Sequence, residues 1–72
     1  MNKNSTEISI SSEYITLGQF IKFVGAIQTG GEAKSFLRDS IIQINGENDN
    51  RRGRKLRSGD VIKVNDKVYR IL

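Results

Sequence analysis

An α+β fold is predicted, with two helices packed on a small, mainly antiparallel β-sheet. Two stretches carry apolar residues at helical spacing. Shorter stretches before and after them alternate apolar and polar. Turn dipeptides separate the later ones. A chain of 72 residues makes one domain, so 1–72 is read as a single unit, with residues 1–5 expected to fray.

Glu7 to Ser11 alternates, with Ile8 and Ile10 on one side, and reads as a short strand. The first helix is marked by Leu17, Phe20, Ile21 and Val24, which fall at i, i+3, i+4 and i+7. Thr16 and Gln19 have the spacing of a capping box, and Ile15 stands where it can staple onto Phe20. Gly25 weakens the far end. The second helix repeats the pattern: Thr29 with Glu32 as a capping box, then Ala33, Phe36 and Leu37 as the apolar stripe. Successive residues turn by about 100°, which puts Lys34 and Arg38 together on one flank of that stripe and Glu32 and Asp39 on the other.

Ile42 and Ile44 flank Gln43 in the next strand, and Asn45-Gly46 follows as a turn, because both residue types tolerate positive φ. Residues 47–55 contain nothing apolar and are expected to form an exposed loop before Leu56 returns to the core. Gly59-Asp60 is another turn, with Asp60 a turn residue rather than a catalytic one. Val61–Val64 and Lys67–Ile71 then form a hairpin around Asn65-Asp66. That register places Ile62, Val64, Tyr69 and Ile71 on the core face, and Val61, Lys63, Val68 and Arg70 on the other.

Charge is distributed unevenly. Residues 1–40 hold four basic groups (Lys3, Lys22, Lys34, Arg38) and four acidic ones (Glu7, Glu13, Glu32, Asp39). The net charge of +4 therefore lies in residues 41–72, where Arg51, Arg52, Arg54, Lys55 and Arg57 crowd into seven positions. Such a focused patch suits a polyanion. Arginine's fork matches phosphate, and its plane stacks on exposed bases. No aromatic residue interrupts the cluster, so a single-strand stacking platform is not expected within it. Gly30 and Gly31 at the start of the second helix are a further candidate phosphate site, through free N–H groups and the helix dipole. Phe23 falls off the first stripe and is expected to pack against the first strand or the chain ends. Tyr69 is expected at the edge of the core.

The chain has no Cys and no His. Thiolate nucleophiles, imidazole bases, disulfides and Cys/His zinc sites are thereby excluded. No glycine-rich nucleotide loop is present, and no enzyme, metal or cofactor is expected. No apolar run is long enough to span a membrane, and no signal core is seen near the N-terminus, so the expected location is the cytoplasm.

From Ile15 to Val64, about fifty of the 72 residues, the chain resembles the S4 RNA-binding domain. The resemblance lies in TLGQFIKFVGAIQTGGEAKSFL, IIQINGE and RRGRKLRSGDVIKV: a helix, a second helix with an early Ala, a strand ending here as Ile44-Asn45-Gly46, and Gly59-Asp60 before an apolar strand. The run Arg51-Arg52-Gly53-Arg54-Lys55-Leu56 is similar to that of small bacterial proteins made of this domain alone. The resemblance implies binding of structured RNA, ribosomal or transfer RNA, and the protein is expected to be a non-catalytic, ribosome-associated monomer. Its RNA-facing parts are the start of the second helix and the loop after the V-N-G strand. They correspond to Lys34, Arg38, Arg51, Arg52, Arg54 and Lys55, with Arg57 beside them. The chain departs from the family's usual Ser-Arg at the second helix cap, where it has Thr29-Gly30. It also has Ser40 where a glycine often ends that helix, which implies a strained left-handed residue. The alternative reading is a protein-interaction adaptor whose basic loop docks an acidic surface, for example on the ribosome.

Overall fold

The computed structural model describes residues 5–72. A five-stranded sheet runs in the order β1-β7-β6-β3-β4, and a two-stranded ribbon pairs β2 with β5. The strands are β1 (Ser5–Ile8), β2 (Ile15–Thr16), β3 (Ile42–Ile44), β4 (Glu47–Asn48), β5 (Lys55–Leu56), β6 (Val61–Val64) and β7 (Lys67–Ile71). Helix α1 spans Leu17–Phe23, and α2 spans Ala33–Asp39 after a 3₁₀ turn at Gly30–Glu32. The pairings are antiparallel except β1 with β7, which is parallel. The α+β architecture is thus the one the periodicities predict.

Helix α1 begins as expected. Gln19 N–H donates to Thr16 Oγ1 (3.2 Å), and Thr16 N–H donates to Gln19 Oε1 (2.9 Å), so the capping box is closed in both directions. At its other end Gly25 adopts φ +83°. Gly25 N–H donates to the Lys22 carbonyl and Ala26 N–H to the Ile21 carbonyl, the paired bonds of a Schellman stop. Gly25 therefore ends the helix rather than merely weakening it. The following Ile27, which no periodicity marks, is buried.

The entrance to α2 differs from expectation. The Thr29 hydroxyl makes no capping bond. Glu32 reaches one residue further back, and its Oε1 accepts from Gln28 N–H (2.9 Å). The chain takes a 3₁₀ turn at Gly30–Glu32, which displaces Glu32 from the geometry of a box. Ser40 leaves the helix in extended conformation (φ −115°), so no left-handed residue is required there.

The core lies between the helices and one face of the larger sheet. Leu17, Phe20, Ile21, Ala33 and Leu37 meet Ile42, Ile44, Leu56, Ile62, Val64 and Ile71, all buried. Tyr69 closes its edge, edge-to-face with Phe20 at 5.3 Å between ring centroids. The terminal hairpin has the expected register, with Val64 opposite Lys67 and Ile62 opposite Tyr69. Asn45 and Gly46 both have positive φ (55° and 87°) and turn β3 into β4. Asp60 is a turn residue: its carboxylate accepts from Arg57 N–H (2.8 Å) and Asn45 Nδ2 (3.1 Å).

Three expectations shift. The first strand is Ser5–Ile8, two residues earlier than its alternation suggests, and Ser5 opens it rather than fraying. The rest of the fraying expectation falls on residues 1–4, outside the described residues. Residues 47–55 are not wholly a loop, since β4 lies within them and β5 begins at Lys55. Phe23 does not pack inward and is 59% exposed.

Candidate nucleic-acid interface

The basic segment is held to α1 by its backbone. Leu17 N–H donates to the Arg54 carbonyl (2.8 Å), and Gly18 N–H to the Arg52 carbonyl (2.9 Å). A helix leaves its first N–H groups without intrahelical partners, and the loop supplies the acceptors. Helix and loop therefore form one unit. Gly18 makes this possible, because a Cβ there would lie 2.6 Å from Arg52 Cγ and 3.4 Å from the Arg52 carbonyl oxygen. The other side of the loop is tied to α2 by Asn50 Nδ2, which donates to the Leu37 carbonyl (3.4 Å).

Asp49 organises the interior of the loop. Its side chain is only 12% exposed. It accepts from Arg51 N–H (3.1 Å), from Arg51 Nε and Nη2, and from Arg54 Nη1 (2.9 Å). The Arg51 hydrogen bond, aided by the Arg51 backbone N–H and by Arg54, holds the Asp49 carboxyl far below the usual carboxylate range, against the opposing effect of desolvation. The Arg51 guanidinium is pushed up in turn by the same carboxylate.

The seven cations marked in the sequence consequently separate into three groups. Arg51 and Arg54 are ion-paired to Asp49 and brace the loop. Arg52 lies between the helices. With Lys34, Arg38 and Asn50 it lines a depression of about 370 Å³. It also lines a second depression of about 420 Å³ with Lys22, Gly18, Gly30 and Gly53. The two depressions meet at the Arg52 side chain. Lys55 and Arg57 form the third group, over the ring of Tyr14 on the β2–β5 ribbon.

The flank sorting on α2 holds for Lys34 and Arg38, but Arg38 Nε also touches Asp39 Oδ1 at 3.3 Å. Both side chains are about 70% exposed, so that pair adds little and gives way readily. Lys22, Lys34 and Arg52 have no acidic partner among the described residues. Of the two glycines marked for phosphate, Gly30 lines the groove floor and Gly31 lies outside its lining.

Sequence reasoning missed Lys22, Asn50 and Tyr14. Lys22 carries no signal until the fold is known: it lies one helical turn beyond Gly18, on the flank where the basic loop crosses. Asn50 and Tyr14 carry none, since each is placed by a contact across the chain.

Two helices on a small, mainly antiparallel sheet are consistent with the α+β fold of an S4 domain. The family model described as "S4 domain" matches residues 8–72, and the chain belongs to that family. It is also similar to the "Probable ribosome maturation protein RlbA" of Bacillus subtilis (strain 168), with 56% identity over 57 residues, covering 79% of this chain and 80% of that protein. No solved structure gives a significant match. Among the described residues, no helix is long and apolar enough to cross a membrane.

Proposed function

We propose that the protein is a non-catalytic module that binds structured RNA, ribosomal or transfer RNA, through phosphate backbone and shape. The observation that carries this is the placement of Arg52. It brings the basic loop beside Lys34 and Arg38 on one side and Lys22 on the other, along a glycine-floored groove. Lysine and arginine side chains of this kind position a protein on phosphates and carry little sequence information. Family membership supports RNA as the polyanion, and the likeness to a probable ribosome maturation protein of Bacillus subtilis supports the ribosome as its setting. On this reading the domain, residues 1–72, acts as a monomer in the cytoplasm.

Lys22, Lys34, Arg38 and Arg52 are the contacts assigned to the RNA backbone. Gly30 lets a phosphate approach the groove floor. Arg51 and Arg54 act chiefly through Asp49, by holding Arg52 in place.

About four phosphate contacts correspond to a slope of log affinity against log salt of about −3 to −4. A filter-binding titration with folded RNA checks this, and a slope near zero would remove the backbone reading. Pull-downs with and without nuclease address the adaptor alternative: association that survives nuclease indicates a protein partner.

A further inference from the structure

The β2–β5 ribbon presents a second surface that the phosphate groove does not use. Its register pairs Ile15 with Leu56 and Thr16 with Lys55. Leu56 is fully buried and Ile15 half-buried, so that pair faces the core. Alternation turns the neighbours outward, and one further step along the register sets Tyr14 across from Arg57. Lys55 Nζ lies 5.0 Å from the Tyr14 ring centroid, and Arg57 Cζ lies 5.6 Å from it. The ring is 38% exposed, and its backbone is held by Ser12 Oγ, which donates to the Tyr14 carbonyl (2.8 Å).

Two cations over one exposed ring are more than a two-residue ribbon needs for its own stability. Neither has an acidic partner among the described residues. What the cluster offers is a partly exposed aromatic ring with positive charge over it, on two long side chains that can swing from the ring to a phosphate as a base takes their place. An unpaired nucleotide matches both parts, with a base to stack and a phosphate to neutralise. A base-paired stem matches only the charge, because its base faces are covered by their neighbours. An acidic peptide would likewise leave the ring unused. The cluster adjoins the groove, since Thr16, the strand partner of Lys55, lines the depression that holds Lys22 and Arg52.

We propose that Tyr14, with Lys55 and Arg57, is a stacking site for an unpaired nucleotide of the RNA whose backbone lies in the groove. This rests on the RNA-binding reading above and adds to it a preference for a junction between stem and single strand.

The test uses the full chain and two probes: a blunt RNA hairpin, and the same hairpin with a short single-stranded adenosine tail. Wild type and Tyr14→Phe are expected to prefer the tailed hairpin by about fivefold or more, the lower end of what base–aromatic stacking contributes. Tyr14→Leu is expected to bind both hairpins alike, at the wild-type affinity for the blunt one. A second readout uses Tyr69→Phe. The chain has two tyrosines and no tryptophan, so in that variant tyrosine emission comes from Tyr14 alone. It is expected to be quenched by the tailed hairpin and not by the blunt one.

A wild type with no tail preference, or a preference that survives Tyr14→Leu, overturns the stacking site while leaving groove binding intact. A preference lost only in Lys55→Ala with Arg57→Ala reduces the surface to charge attraction and also overturns it. Failure of wild type to bind either hairpin removes the RNA-binding reading itself.

Discussion

At the scale of single residues, Asp49 decides what the basic loop is. Its carboxylate faces two guanidinium groups and a backbone N–H. Without it the loop would carry unpaired arginines at close quarters. Charge-assisted bonds of this type contribute more than neutral ones, and this carboxylate is largely shielded from water. The folded pKa lies well below the unfolded value near 3.9. The contribution is therefore whole at neutral pH and is lost progressively as pH falls below about 4. Asp49→Asn is expected to lower the melting temperature at pH 7 by a few degrees, about 1 kcal/mol in a domain of this size. The gap from wild type is expected to narrow in melts taken below pH 4. A gap that stays constant with pH would mean that the carboxylate's charge is not what matters. Arg51 and Arg54 read in the sequence as part of a cationic cluster. Their engagement was illegible because Asp49 precedes the run, and only the fold of the loop turns it back onto them.

At the scale of elements, α1 holds the molecule together. It is closed at both ends by local chemistry, the Thr16–Gln19 box and the Gly25 stop, and it buries Leu17, Phe20 and Ile21 completely. These features were plain in the sequence, since capping residues and a 3.6-residue stripe act within one or two turns of the chain. Phe20 is fully buried and packs on Tyr69 at the edge of the core. Phe20→Ala is expected to cost about 3–5 kcal/mol, which would leave so small a domain largely unfolded by circular dichroism at room temperature. A cooperative melt near that of wild type would contradict the packing described here. Helix α2 was less legible. Its stripe predicted Ala33 and Leu37 as buried, but the Thr29–Glu32 spacing alone does not reveal the 3₁₀ entrance. The two-residue strands β2, β4 and β5 are too short for alternation to show. Their partners, not their sequences, make them strands.

At the scale of the whole molecule, the basic residues take roles set by what lies across from them. Arg52 stands over the groove between the helices, Arg54 is half-buried against Asp49, and Lys55 and Arg57 lie over Tyr14. Arg52→Ala is accordingly expected to weaken binding of folded RNA several-fold, with the melting temperature within a degree or two of wild type. Arg54→Ala is expected to lower the melting temperature more than Arg52→Ala does, because it leaves Asp49 short of a partner. Paired thermal melts and RNA titrations check this ordering, and the reverse order would place Arg54 at the RNA and Arg52 in the scaffold. The sequence by itself determined the α+β class, the two apolar stripes, the first helix cap, the terminal hairpin with its inward face, and the side of α2 that bears Lys34 and Arg38. All of these follow from periodicity and turn chemistry acting over a few residues. Only the tertiary structure decided which cations brace the loop, which line the groove, that Lys22 joins them, and that Tyr14 sits beneath Lys55 and Arg57. Those relations depend on segments far apart in the chain, brought together when the core closes and the orphan N–H groups of α1 find their acceptors in the loop.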